Sequence, residues 1–565
     1  MKNSKVVVLI AGLLLIGLVL LFLKSSFFSN APSMDSREPN FSEPVVGIFD
    51  RNNQFPDLGS DSFTHVSCQL DKSVDKQKLK KLVSDFGNAQ NLLITVEMPG
   101  RKAAATSENV LSEVLDGDYD AKIDAFCEAL KVSGKKVYVR WNPEMEVPVK
   151  IYPWQYQAPA DYIKAFNHFA KQAKKAFPGI QIVWGAAGYP GADEYYPGSE
   201  NVDFMTIMLN GKSEKESTAF PDVKDLYTNL KRKIQRMRVA DKPILVLAAG
   251  DLQKDEDLKT QLTKAINETK KEAVILYSDF DNGNALANNA RTSKPLVGVY
   301  DPKEIIVKSG LVGVEHIFVD LGSVQSGQFE QGLNAIAARK HDAIVSIEPW
   351  RDNKSRKDSS VLLNVINGVY DAEFSEIYRV IGNSKQTVYL RFAHEMEIPI
   401  HRYAWQSQDP VLYIKAFRYF MDFNKSNGKN IKKVWGPAGD RGSMEWWPGA
   451  KYVDYVSIAI YGLPDKGITD PEKQESFESI YNRKNHRMRF TGKPIFVTEF
   501  GVKGREEYQA KWMKNAARVI NTHKEIFGVC YFNLEDNPKV WGDIPAPDWS
   551  LSKATFSGFV DALQE

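Results

Sequence analysis

Two glutamates occupy positions where a carboxylate is costly to keep. Glu395 lies in Arg391-Phe392-Ala393-His394-Glu395-Met396-Glu397, and Glu499 in Val497-Thr498-Glu499-Phe500-Gly501. Each falls at the C-terminal end of a short β-branched or aromatic run of the kind that forms a buried strand. A carboxylate facing a cavity there gives up hydration, so a functional role is favoured more than for a helix-surface glutamate. Taken singly, either residue also fits a buried salt-bridge partner. Arg391, Glu348, Asn533 and Asp536 are further polar groups at strand ends, each readable as site or as scaffold.

The elements that must position these residues are written twice. From Pro44 to Ala248 the chain matches a second copy 251 positions later without a net gap. Pro44-Val45-Val46-Gly47 returns as Pro295-Leu296-Val297-Gly298, His65 as His316, Glu97 as Glu348, Arg140 as Arg391, Glu144-Met145-Glu146 as Glu395-Met396-Glu397, and Trp184-Gly185 as Trp435-Gly436. A period this long predicts two whole domains, over 43–292 and 293–565, rather than a solenoid. In the first, strand-like runs fall near 45–50, 65–70, 91–97, 136–142, 181–187, 203–209, 243–249 and 273–279. In the second they fall near 296–301, 314–319, 342–348, 387–393, 432–438, 454–460, 494–500 and 528–534.

Helical periodicity separates these runs; Tyr413, Ala416, Phe417 and Phe420, for example, form a stripe at i, i+3, i+4 and i+7. Strand and helix alternating eight times predicts an α/β fold of two tandem (β/α)8 TIM barrels, with active residues at the C-terminal strand ends. After the first strand, Asp50-Arg51-Asn52-Asn53 offers no glycine-rich phosphate turn, which argues against a doubly wound nucleotide-binding sheet.

Composition narrows the partners. Basic residues number 73 and acidic residues 71, interspersed, for a formal charge of +2, which lacks the electrostatic footprint of a nucleic-acid binder. Cys68, Cys127 and Cys530 have neither metal-ligand spacing nor the numbers for a disulfide framework, and read as small buried residues. No metal, nucleotide or cofactor fingerprint is visible. Val6 to Leu23 is an uncharged apolar run flanked by Lys2, Lys5 and Lys24, long enough to span a bilayer. It predicts a signal-anchor over 1–24, a tether over 25–42, and a single-pass membrane protein with its bulk outside the cytoplasm. A cleaved signal peptide is the competing reading, since Ser29-Asn30-Ala31 supplies small residues.

At its two glutamates the second copy resembles glycoside hydrolase family 26, a β-mannanase family of barrels with catalytic glutamates on strands four and seven. The residues that carry the resemblance are His394-Glu395, Glu499, Val434-Trp435-Gly436-Pro437, the run from Trp447 to Tyr455, and Tyr461. The resemblance implies Glu395 as acid/base, Glu499 as nucleophile and Tyr461 as the tyrosine beside it. A retaining glycosidase needs that pair, one carboxylate to attack the anomeric carbon and one to protonate the leaving oxygen. His394 then reads as a positioning group, or as a satisfied core histidine.

Trp405, Trp446, Trp447, Trp541 and Trp549 follow barrel strands, where their rings could stack on pyranose faces. Trp446 and Trp447 are the leading stacking pair, because neighbours on an extended segment cannot both bury the same way. The chain departs from the family where Glu397-Ile398-Pro399 stands in place of Asn-Gly. Sugar contacts are expected to differ there, leaving mannan, mixed-linkage glucan, xylan or an exported exopolysaccharide as the polysaccharide substrate.

The first copy keeps Glu144 at the acid/base position but has Pro143 for His394, Asn210 for Tyr461 and Ala248 for Glu499. A barrel without its nucleophile cannot run a double displacement, so this copy is expected to be a degenerate glycosidase that binds glycan, acts as a spacer or docks a partner. The whole chain is expected to be a membrane-anchored retaining endo-β-glycanase. The rival class is a non-catalytic glycan-binding or scaffolding component that works with a polysaccharide synthase or exporter.

Overall fold

The computed structural model describes residues 45–70, 91–98, 110–148, 152–209, 226–248, 256–276, 290–400, 402–423, 429–462, 474–538 and 545–565. The apolar run Val6–Leu23 and its tether lie outside them, as do Asn210 and Trp541. Among the described residues no helix is long and apolar enough to cross a membrane.

The second half forms the expected closed barrel. Its strands are β8 (Leu296–Tyr300), β9 (Val314–Asp320), β10 (Asp342–Glu348), β11 (Val388–Phe392), β12 (Ile431–Trp435), β13 (Tyr455–Tyr461), β14 (Ile495–Gly501) and β15 (Ile526–Phe532). All eight are parallel, and β15 pairs with β8 to close the ring. Val314, Ile344, Tyr389, Val434, Phe496 and Cys530 fill the lower interior. Above them the interior turns polar, with His316, Ser346, Arg391, Ser457 and Thr498 all buried. An apolar plug below a polar layer leaves chemistry only at the C-terminal mouth.

The flanking helices follow their sequence signals. The helix Pro410–Asp422 starts where the Asp409 carboxylate accepts from the Val411 N–H at 2.9 Å, with proline next to the cap. It buries Tyr413, Ala416, Phe417 and Phe420, the stripe expected from spacing.

The first half departs from the expected eight-stranded barrel. Among the described residues its strands are β1 (Val45–Phe49), β2 (Phe63–Gln69), β3 (Asn91–Glu97), β4 (Lys136–Trp141), β5 (Gln181–Trp184), β6 (Phe204–Leu209) and β7 (Ile244–Ala248). They form a seven-stranded sheet ordered β1-β7-β6-β5-β4-β3-β2, in which β1 runs antiparallel to β7. The eighth strand placed near 273–279 is not formed over its first four residues, which finish the helix Glu256–Leu276. That segment contains no glycine or proline, and Leu262, Ala265, Ile266 and Thr269 are buried at helical spacing. A short apolar run such as Ala273-Val274-Ile275-Leu276 fits strand or buried helix equally, and here the helix already under way continues through it. Strand β1 takes the place beside β7.

Candidate active site

Glu499 enters the cleft through an irregularity in its own strand. Between β13 and β14, Ser457 pairs with Phe496 but Ala459 with Glu499. Between β14 and β15, Val497 pairs with Val529 but Phe500 with Tyr531. One extra residue therefore sits on β14 relative to both neighbours, a bulge that breaks the in–out alternation and re-aims a side chain. Thr498 stays in the interior against Ser457 at 2.5 Å. Glu499, next in sequence, also reaches the mouth of the barrel.

There Arg391 Nη1 donates to Glu499 Oε1 at 2.7 Å and the Tyr461 hydroxyl donates to Oε2 at 3.1 Å. Arg391 is itself held by Ser346 Oγ at 3.0 Å. The guanidinium passes so close to Gly436 that a Cβ there would lie 2.8 Å from Arg391 Nε. This accounts for the glycine in Trp435-Gly436-Pro437. Burial and the neighbouring Glu499 charge push the Tyr461 phenol well above its usual range, so it remains a donor.

Glu395 lies in a turn after β11 with φ +53°, and Ala393 has φ +45°. The left-handed region is costly for residues with a Cβ and marks a backbone over-determined by its surroundings. The Glu395 N–H donates to the Gly436 carbonyl at 2.8 Å. Gln406 Nε2 donates to the Glu395 carbonyl at 3.1 Å, and Trp405 Nε1 to the His394 carbonyl at 2.8 Å. The Glu395 carboxyl is pushed up to about 8, first by burial and then by the charge of Glu499, against partial relief from Arg402. Two carboxylates at one mouth thus have opposite settings: Glu499 in an ion pair, Glu395 inclined to keep its proton.

Several of the expected sugar contacts are buried. Trp405 is fully buried and stacks on Tyr403 at 4.6 Å, so it fixes the turn that carries Glu395 rather than presenting a face to solvent. Trp446 and Trp447 are both buried. Trp446 ends a 3-10 turn, Ser443–Trp446, so the pair is not extended and the two rings diverge. One packs on Tyr413 at 5.6 Å and the other on Trp435 at 5.1 Å. Trp549 is buried at 4.8 Å from the Tyr461 ring. Asn533 bridges the ends of β15 and β8, donating to Asp301 Oδ1 at 3.0 Å and accepting from the Leu551 N–H at 2.8 Å.

Glu397 turns to the loop after β12. It accepts from the Gly439 and Asp440 N–H groups and from Ser443 Oγ, at 2.9, 3.1 and 2.8 Å. It therefore organises the loop after β12.

His394 is buried beside Tyr403 and Phe318 at 5.2 and 5.5 Å. Burial, then Arg391, push its imidazole well below the usual histidine range, so it is neutral. Sequence reasoning missed Arg402, Trp350 and Tyr403. Trp350 Nε1 donates to Glu348 Oε2 at 3.0 Å and Arg402 lies 3.7 Å from Asp536. These two pairs bring the strand-end acids Glu348 and Asp536 to the same mouth; only an aromatic and a base on post-strand loops signalled them.

The first half repeats the frame with Ala248 in place of Glu499. Asn142 and Glu144 share the left-handed backbone of Ala393 and Glu395, and Trp154 donates to the Pro143 carbonyl as Trp405 does to that of His394. Arg140 lies 3.5 Å from Glu144, as an ion pair. The bulge is missing: Met205 through Leu209 pair in unbroken register with Ile244 through Ala248. Leu245 and Leu247 fill the interior of this sheet, so alternation turns Ala248 to the helix layer. Ala248→Glu in a Glu499→Ala background is accordingly expected to leave hydrolysis undetectable and to destabilise the chain by about 3 kcal/mol or more, the cost of an uncompensated buried charge. Recovered activity, or an unchanged denaturation midpoint, would contradict this account.

No family model matches the chain. It is 31% identical over 145 residues to a β-1,3-xylanase of a Vibrio species, a stretch covering 24% of this chain and 28% of that enzyme. A β-1,3-xylanase of an Alcaligenes species is 23% identical over 192 residues, covering 31% and 38% respectively. The chain therefore spans less than two fifths of the length of these curated relatives. Among solved structures, a Podospora anserina GH26-CBM35 β-(1,4)-mannanase aligns over 49% of this chain and 66% of its own, with a TM-score of 0.31 and 12% identity.

Proposed function

We propose that the chain is a glycoside hydrolase whose second barrel cleaves a β-linked polysaccharide by the double displacement of a retaining endo-glycanase, on the plan of family 26. The observation that carries this reading is the divided pair at the barrel mouth: Glu499 ion-paired with Arg391 and bonded by Tyr461, Glu395 pushed up to about 8. Glu499 attacks the anomeric carbon while Glu395 gives its proton to the departing glycosidic oxygen. Glu395, now ionised, takes a proton from water, which opens the glycosyl-enzyme. Arg391 and Tyr461 hold the nucleophile in line. A scaffold with both sites retired would have no use for this arrangement.

The first half derives from the same ancestor by duplication and no longer catalyses. The segment 1–24 anchors the chain, which membrane fractionation with and without it tests. The β-1,3-xylanase relatives make β-1,3-xylan the leading substrate, ahead of mannan and mixed-linkage glucan. Incubating the chain with these three polymers, and following products by NMR, is expected to show oligosaccharides released from one of them with the anomeric configuration retained. Release with inversion would overturn the double displacement. No release from any β-glycan by folded protein would overturn the enzymatic reading.

A further inference from the structure

The two halves meet across a surface whose central contacts are repeated with the roles exchanged. Arg236 Nε of the first half donates to Glu445 Oε2 of the second at 3.1 Å. At positions 251 residues along, Arg487 Nε of the second half lies 3.1 Å from Glu194 Oε1 of the first. Arg238 Nη2 donates to the carbonyls of Trp447 and Met444 at 2.8 and 3.3 Å. Its counterpart Arg489 Nη2 donates to those of Asp193 and Glu194 at 2.8 and 3.3 Å, with that of Tyr196 at 3.4 Å.

Gly191 and Gly442, also counterparts, have φ +80° and +83° and face one another: a Cβ on Gly442 would lie 3.9 Å from the Gly191 nitrogen and 3.2 Å from the Pro190 ring. They mark where a two-fold axis would pass. Such reciprocity, in which residue i meets j and j meets i, defines an isologous interface between like subunits. Arg236, Arg238, Arg487 and both glutamates are buried, and Arg489 is partly buried. Burial pushes Glu445 up, yet Arg236 and Arg232 overcome it and hold the carboxyl below its usual range.

We propose that the first half serves the catalytic barrel as a built-in second subunit, paired face to face through an arginine–glutamate clasp that each half carries complete. The surface is made for another copy of the same fold, and duplication supplies that copy in the same chain. This inference rests on the reading of the halves as duplicates and is independent of whether either hydrolyses glycan. It also gives a reason to retain a half without a nucleophile. On the catalytic side the clasp grips the turn Ser443–Trp446, whose Ser443 is bonded to Glu397, two residues beyond Glu395.

The test places a protease site within residues 277–289 of the full chain, cuts the folded protein and follows association by light scattering, with no activity readout. The cut halves are expected to remain a one-to-one pair at micromolar concentration. Glu445→Gln and Glu194→Gln are each expected to weaken pairing by roughly 30-fold or more, the loss seen when one member of a buried charge pair is removed. The two losses should match within a few-fold. Arg238→Ala and Arg489→Ala form a second matched pair that spares both carboxylates, and circular dichroism of each uncut variant confirms folding. Halves that separate at once after cutting, or a loss confined to one member of each matched pair, would overturn the proposal.

Discussion

Glu499→Ala is expected to lower polysaccharide hydrolysis by roughly 10⁴ to 10⁶-fold, the range found when a residue of a covalent catalytic unit is removed. Besides its proposed role as nucleophile the residue neutralises Arg391, whose other hydrogen-bond partner is the Ser346 hydroxyl. Removing the carboxylate leaves a buried guanidinium without its counter-ion, at a cost of about 3–5 kcal/mol. Glu499→Gln, which keeps an oxygen to accept from Arg391, should be as inactive as the alanine variant yet melt closer to wild type. Azide should restore turnover to the alanine variant by taking the vacant position of the nucleophile. Kinetics with and without azide, beside thermal denaturation of both variants, checks this. Appreciable activity in folded Glu499→Gln would remove Glu499 from the mechanism.

Glu395→Gln is expected to slow natural polysaccharide by roughly 10² to 10⁴-fold, the usual contribution of a positioned acid. Aryl glycosides with good leaving groups need little protonation, so their glycosylation step should be nearly spared. The proposed mechanism requires the proton on Glu395 in the wild type, and kcat/KM should fall as pH rises through about 8. That limb should disappear in the glutamine variant with activated substrates.

Stability has its own signature. The folded protein holds this proton at pH values where the unfolded chain has released it, so the group's contribution to stability declines from the ordinary carboxylate range up to about pH 8. Glu395→Gln should therefore gain in melting temperature relative to wild type as pH rises across that interval. A basic limb unchanged by the substitution, or a stability difference independent of pH, would assign the titration to another group.

Much of this protein is legible in one dimension because of the internal repeat. Strand runs repeating 251 residues apart, the apolar stripe of Pro410–Asp422 and the strand-end glutamates locate the barrel, its helices and the two carboxylates. Each follows from local periodicity or from the cost of placing a charge at a strand end. Periodicity also marks the limit: Ala273-Val274-Ile275-Leu276 carries no pattern that separates strand from helix, and the preceding helix claims it.

Three decisions belong to the tertiary structure alone. The bulge on β14 that turns Glu499 inward, and its absence at Ala248, depend on pairing with strands on either side and leave no mark in the residues themselves. The fate of the tryptophans depends on a 3-10 turn, on the helix Pro410–Asp422 that meets Trp446 through Tyr413, and on Trp435 at the end of β12, which meets Trp447. The clasp between the halves appears in sequence only as scattered arginines and glutamates on polar helices and turns. Their charges become a matched set because folding brings two like surfaces together, and a repeat by itself does not specify which faces meet.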